Sequence, residues 1–208
     1  MHLSLLGDSI FDNQAYVQPG CSVLDHLGKY LPPAWRTSLV AKDGSVALNV
    51  PDQIKRLPLC TTHIALSIGG NDALEAIPVL DSPSTSILAS LHVLHGLQFA
   101  FEHTFSHLLK DLRGLGKPLL VCTIYDKVPG LTAELRTALS LFNDVITREA
   151  AALGVAVLDL RTILTDEEDY SSASPIEPSS AGGDKLASRL ADCVLHHDFS
   201  CGFTTVYR

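Results

Sequence analysis

Short runs of consecutive apolar residues alternate along this chain with longer stretches in which apolar residues recur every three or four positions. The short runs are Leu3–Leu6, Ser38–Ala41, His63–Ile68, Pro118–Ile124 and Val155–Leu160. Most are rich in Leu, Ile and Val and run out into Gly, Lys or Asp, as buried strands do where they meet a loop. The longer stretches predict helices. Val23–Leu31 stops at Pro32-Pro33, as a helix should before proline. In Pro83–Leu115, the residues Ile87, Leu91, Leu94, Phe101, Phe105, Leu108, Leu112 and Leu115 form one stripe, and Gly114 and Gly116 provide the stop. Thr132–Leu153 carries a similar stripe and ends at Gly154, and Gly182–Leu195 is the last helix.

Strands that are continuously apolar, separated by helices, predict a parallel sheet covered on both faces. The expectation is a single α/β domain over residues 1–208, a three-layer α/β/α sandwich around a five-stranded parallel sheet. Right-handed crossovers bring the C-terminal ends of parallel strands to one edge, where ligands bind. Four small or polar clusters then meet on that edge: Gly7-Asp8-Ser9, Lys42-Asp43-Gly44, Gly69-Gly70-Asn71-Asp72 and Tyr125-Asp126.

Composition narrows the function classes. With 46% of residues hydrophobic and 18% charged, the chain has too much core-forming material for intrinsic disorder. A net charge of −8 repels phosphate backbones and anionic lipid heads, so neither nucleic-acid binding nor polybasic membrane docking is expected. No run approaches the roughly 18 apolar residues of a spanning helix. Met1–Leu6 leads straight into Gly7-Asp8-Ser9 without a charged leader, so a soluble cytoplasmic protein is the expectation. The five cysteines are scattered and form no CxxC pair, which points to reduced structural thiols and to no zinc or dithiol centre.

The chemistry lies on the strand-end rim. Ser9, directly after the first strand, is either a helix N-cap or a nucleophile beside backbone N–H groups able to hold an oxyanion. Gly44 either makes a simple turn or lets the backbone approach a ligand and donate its N–H. Asn71, after two glycines, is either turn chemistry or an amide donor across the rim. None is specific alone; their order after the first three strands is.

In these residues the chain resembles the SGNH (GDSL-type) hydrolases, from Leu5-Leu6-Gly7-Asp8-Ser9 to the helix start at Gly182–Ala187, and most closely in Ser67-Ile68-Gly69-Gly70-Asn71-Asp72. The resemblance implies a cofactor-free α/β/α domain that cleaves acyl esters of alcohols, lipids or sugars. It also implies that Ser9 is the nucleophile, with Gly44 and Asn71 completing an oxyanion hole with the Ser9 N–H. The implied partner is a small-molecule ester; oligomeric state stays open.

One block departs from the family. Where the family has Asp-x-x-His-Pro before its last helix, this chain has Ser174-Pro175-Ile176-Glu177-Pro178, so Glu177 stands in the histidine's place and Ser174 in the aspartate's. Of the nine histidines, His63 opens the third strand at the wrong end, and His92, His95, His103 and His107 ride the long helix, mostly outward. His196 and His197 lie beyond the last helix, about 20 Å or more from Glu177 at 1.5 Å rise per residue, unless the tail folds back. Glu177 is therefore either the base, with Asp169, Glu168 or Glu167 as possible partner, or a helix cap. As a buried base it would titrate at about pH 5–6. Asp126 reaches the same rim, as a turn residue or a pocket residue. Three functions compete: an esterase with an altered base, an SGNH-shaped binding domain that turns nothing over, and a flavodoxin-like nucleotide binder, for which no GxGxxG or Walker lysine speaks.

Overall fold

The computed structural model describes residues 1–208. Its strands are β1 (His2–Gly7), β2 (Arg36–Leu39), β3 (His63–Ser67), β4 (Leu119–Cys122), β5 (Ala156–Leu158) and β6 (Val206–Tyr207). They form one sheet in the order β2-β1-β3-β4-β5-β6, and every pairing is parallel. The helices are α1 (Val23–Tyr30), α2 (Val50–Ile54), α3 (Gly70–Glu75), α4 (Ile77–Leu80), α5 (Ile87–Gly114), α6 (Ala133–Ala152) and α7 (Ser180–His196).

Alternation along each strand assigns the two faces. Leu3 and Leu5 of β1, Ala65 of β3, Leu120 and Cys122 of β4, and Ala156 and Leu158 of β5 pack with Val23 and Leu27 of α1 and Leu186 and Leu190 of α7. The intervening residues Leu6, Ile64, Leu66, Leu119, Val121 and Val157 pack with Phe105, Leu109 and Leu112 of α5 and Val145 and Ile146 of α6. Both strand faces are thus dry, which is why the strands read as unbroken apolar runs.

The sheet has six strands, not five. The sixth is a two-residue edge strand in register with β5 (Val157↔Val206, Leu158↔Tyr207), too short to give a periodic signal. Three short helices, α2, α3 and α4, were also not expected. The larger correction concerns α5. Its apolar stripe predicts one buried face throughout, yet Phe105 and Leu112 are fully buried while Ile87 and Leu91 are 82% and 54% exposed. The helix starts at Ile87, where the Ser86 hydroxyl accepts the Ala89 N–H at 3.1 Å, and its buried residues begin only at Phe101.

Candidate active site

The end of β1 is shaped by close backbone approach. Gly7 has φ +126°, and a Cβ there would lie 1.7 Å from the Ser67 carbonyl oxygen, so only glycine lets β1 end against β3. Gln53 of α2 clamps the same residue: its Oε1 accepts the Gly7 N–H at 2.8 Å and its Nε2 donates to the Gly7 carbonyl at 2.7 Å. The next N–H, of Asp8, donates to Ser67 O at 3.1 Å. The Asp8 carboxylate accepts the Ile10 N–H at 3.2 Å, which turns the chain sharply after Ser9. Ser9 is left buried at the strand end, and its own N–H donates to no acceptor in the protein.

The Ser9 hydroxyl donates to Glu177 Oε1 at 2.9 Å across 168 positions of sequence. Glu177 is 4% exposed, and its second oxygen, Oε2, is buried without any hydrogen-bond partner. Burial pushes its carboxyl from 4.5 up to about 7; the Ser9 hydrogen bond opposes that shift and the Asp43 charge adds to it. This lies above the pH 5–6 expected from the sequence and within the usual range of an imidazole. Burial holds the Asp8 carboxyl well above the carboxylate range too, reinforced by the neighbouring Glu177 and Asp72 charges.

The loop carrying Glu177 is fastened through its backbone. Ser171 N–H donates to Glu177 O at 2.8 Å, Ser179 N–H to Asp169 O at 2.8 Å, the Asn13 amide to Pro178 O at 3.4 Å, and the Tyr125 hydroxyl to Ile176 O. A Cβ on Gly182 would sit 2.1 Å from Asp169 O, so glycine allows α7 to start against this loop. The acidic residues expected as partners do not touch the Glu177 carboxylate. Asp169 accepts the Thr165 and Asp166 N–H groups, each at 3.0 Å, and pairs with Lys185 at 2.7 Å; the Glu168 carbonyl accepts the Ser179 hydroxyl. Ser174 contributes only its carbonyl, which accepts the Glu177 N–H at 3.0 Å. Asp126 has a buried, unpartnered Oδ1 but lies outside the cavity at Ser9.

That cavity is lined by 26 residues, 19 of them hydrophobic, and it contains Asp8, Ser9, Asn71, Tyr125 and Glu177 but no histidine. The tail does fold back, as β6, where Tyr207 bonds His197 Nδ1 at 2.8 Å on the sheet edge rather than near Ser9. Asn71 sits in the first turn of α3, and its Nδ2 donates to Ser45 O at 2.9 Å, which fixes the amide on the rim. Gly44 has φ +74° and an N–H without an acceptor, yet it lines a neighbouring polar hollow with Lys42, Asp43, Ser45, Asn49, Asp52 and Arg56 instead of the Ser9 cavity. Ser9, Asn71 and Glu177 are therefore brought together, and Gly44 stands one residue away from the carbonyl that holds Asn71. Gln53 and Asn13 were not singled out from the sequence, and Tyr125 only as part of the Tyr125-Asp126 rim cluster, because each acts on backbone atoms that only the fold delivers.

Among curated protein sequences none matches this chain. Solved structures do match it. A lipase from a goat rumen metagenome is 18% identical with a TM-score of 0.70, over 92% of this chain and 96% of that one. An acetylxylan esterase from Geobacillus stearothermophilus is 14% identical with a TM-score of 0.70, over 95% of each chain. A lipase from Streptomyces rimosus is 17% identical with a TM-score of 0.66, over 92% and 98%. At these identities the likeness is one of fold. The profile of the GDSL-like lipase/acylhydrolase family matches residues 5–185, which spans β1 through the first turns of α7 and includes Ser9, Asn71 and Glu177, and the chain belongs to that family.

Proposed function

We propose that this protein is a serine esterase in which Ser9 and Glu177 form a nucleophile–base pair. The observation that carries the reading is the 2.9 Å hydrogen bond from the Ser9 hydroxyl to a buried carboxylate at the head of an apolar cavity. As an ester enters, Ser9 Oγ attacks the carbonyl carbon while its proton passes to Glu177 Oε1. The developing oxyanion is held by the free Ser9 N–H and the Asn71 amide. Protonated Glu177 then gives the proton to the departing alkoxide, and an acyl-serine remains. Water, deprotonated by the same carboxylate, attacks the acyl-serine and returns the enzyme with free acid as product.

An acid with an ordinary pKa would be a feeble base for this work, and the shift to about 7 is what fits Glu177 to replace an imidazole. A histidine also needs a second residue to fix its ring and tautomer, whereas a carboxylate needs none, which accounts for Ser174 in place of an orienting acid. The shift has a cost, since a buried oxygen without a partner destabilises the fold and persists here beside a cavity. Labelling by a fluorophosphonate probe tests the reading. Covalent modification of wild type at Ser9, absent in Ser9→Ala, is expected. A wild-type protein that is never labelled between pH 5 and 9 would make this a binding domain of the same fold.

A further inference from the structure

Beyond the Ser9–Glu177 contact the cavity is chemically one-sided. Its polar members, Asp8, Ser9, Ser67, Asn71, Thr123 and Glu177, all lie at strand ends, in the first turn of α3 or in the Glu177 loop. Thr123 is already engaged, donating to Asp159 at 2.8 Å and accepting from Leu160 N–H at 2.9 Å. The helical walls built by α4 and the first halves of α5 and α6 offer only hydrocarbon, including Leu80, Leu94, Leu97, Leu135 and Leu139. These side chains are half-buried, and Phe142 beneath them is buried. No Lys, Arg, Asp or Glu occurs between Asp81 and Glu102, although this stretch contains the exposed first half of α5. A wall with no hydrogen-bonding group cannot recognise sugar hydroxyls. Half-exposed leucines on facing helices are what an apolar ligand would cover.

Which half of an ester lies there follows from the proton transfers. The leaving alcohol must depart beside Glu177 Oε1, which takes the Ser9 proton across 2.9 Å and lies in the loop before α7. The other half faces α5 and α6. We infer that this helical wall is an acyl subsite, and that the substrate is an ester of a long unbranched acyl chain, lying along Leu97 and Leu94 and, once it outgrows the cavity, over Leu91 and Ile87. The inference rests on Ser9 being the nucleophile, and it also accounts for a helix whose stripe continues past the point where the protein itself covers it.

Rates on p-nitrophenyl esters of increasing acyl length test it. Each methylene that enters the cavity should raise kcat/KM by about threefold to fourfold, for a gain of at least about a hundredfold from acetate to octanoate. Acetates of increasing alcohol length should show no such gain. Ala138→Trp, which places an indole among the lining residues, should depress octanoate hydrolysis at least about tenfold more than acetate hydrolysis. Binding of cis-parinaric acid to Ser9→Ala, displaced by octanoate and not by acetate, reads the subsite without any chemistry. Fastest turnover of acetate together with no parinaric acid binding would overturn the acyl subsite and leave the Ser9 reading intact, as would a rate that follows alcohol length. Parinaric acid binding without hydrolysis of any ester would sink the Ser9 reading and leave the subsite standing.

Discussion

Of the serines hydrogen-bonded to a proton acceptor, Ser9 and Ser180 differ in everything around that bond. Ser180, in the first turn of α7, contacts His26 Nε2 at 3.1 Å, and His26 Nδ1 lies 2.8 Å from Asp184, the connectivity of a Ser-His-Asp triad. Yet Ser180 also accepts the Cys21 N–H at 3.1 Å, Lys29 stands 2.7 Å from His26, and the Tyr30 hydroxyl donates to Asp184 at 2.9 Å. None of these residues lines the Ser9 cavity. The cluster is a satisfied seam between α1 and α7. Around Ser9 the order is reversed: its N–H is free, Glu177 Oε2 is orphaned, and an apolar cavity opens beside both. A serine and its acceptor mark a site when bonding capacity is left unmet next to space for a substrate; the contact by itself does not.

Mutation should separate the two serines sharply. Ser9→Ala removes the attacking atom and should lower p-nitrophenyl ester hydrolysis by about 10³-fold or more, measured on folded protein. Asn71→Ala, which removes one oxyanion donor, should cost about 10²–10³ in kcat with little change in KM. A large KM effect with kcat intact would instead make Asn71 a substrate-binding residue. The seam should respond in stability only. His26→Ala should lower the unfolding free energy by about 1–3 kcal/mol in denaturant titrations, and Ser180→Ala should change kcat/KM by less than about twofold. Loss of ester hydrolysis in Ser180→Ala would erase the distinction.

The orphaned oxygen supplies a test in stability as well. In the folded protein the Glu177 carboxyl titrates at about 7 rather than 4.5, so the folded state keeps a proton that the unfolded chain releases. Its contribution is fully present below about pH 4.5 and is lost as the pH rises through about 7. Glu177→Gln should therefore be more stable than wild type at pH 8, by up to about 3 kcal/mol, with the gap closing toward pH 4. A pH-independent gap would remove the buried ionisation from the account.

Much of this was legible in the order of residues. The five longer strands and four long helices could be read from apolar periodicity, since buried parallel strands and core-facing helices leave unambiguous signatures. Glu177 was legible as the residue in the family histidine's place, but whether it faces Ser9 or caps α7 stayed open until the fold set the two 2.9 Å apart. What stayed hidden has physical reasons. Gln53 and Asn13 bond to backbone carbonyls and amides, which carry no sequence signal, and Tyr125 was placed on the rim without its carbonyl partner. The first half of α5 bears the same stripe whether the protein or a ligand covers it, so Ile87 and Leu91 read as core although both are exposed. Gly44 follows a β2 that ends two residues earlier than its sequence suggests, at Leu39 rather than Ala41, and lines the neighbouring hollow.

The claim at the centre is that Glu177 takes the Ser9 proton, and the pH dependence of kcat/KM for wild type beside Glu177→Gln, on one short p-nitrophenyl ester, tests it most directly. Wild type should gain about tenfold per pH unit below pH 7 and level off above it, as a single carboxylate ionises at about 7. Glu177→Gln should be slower by about 10²-fold or more and should lose that ionisation. A glutamine variant that keeps both the wild-type rate and its rise with pH would reduce Glu177 to a helix-capping residue, and the base would lie elsewhere.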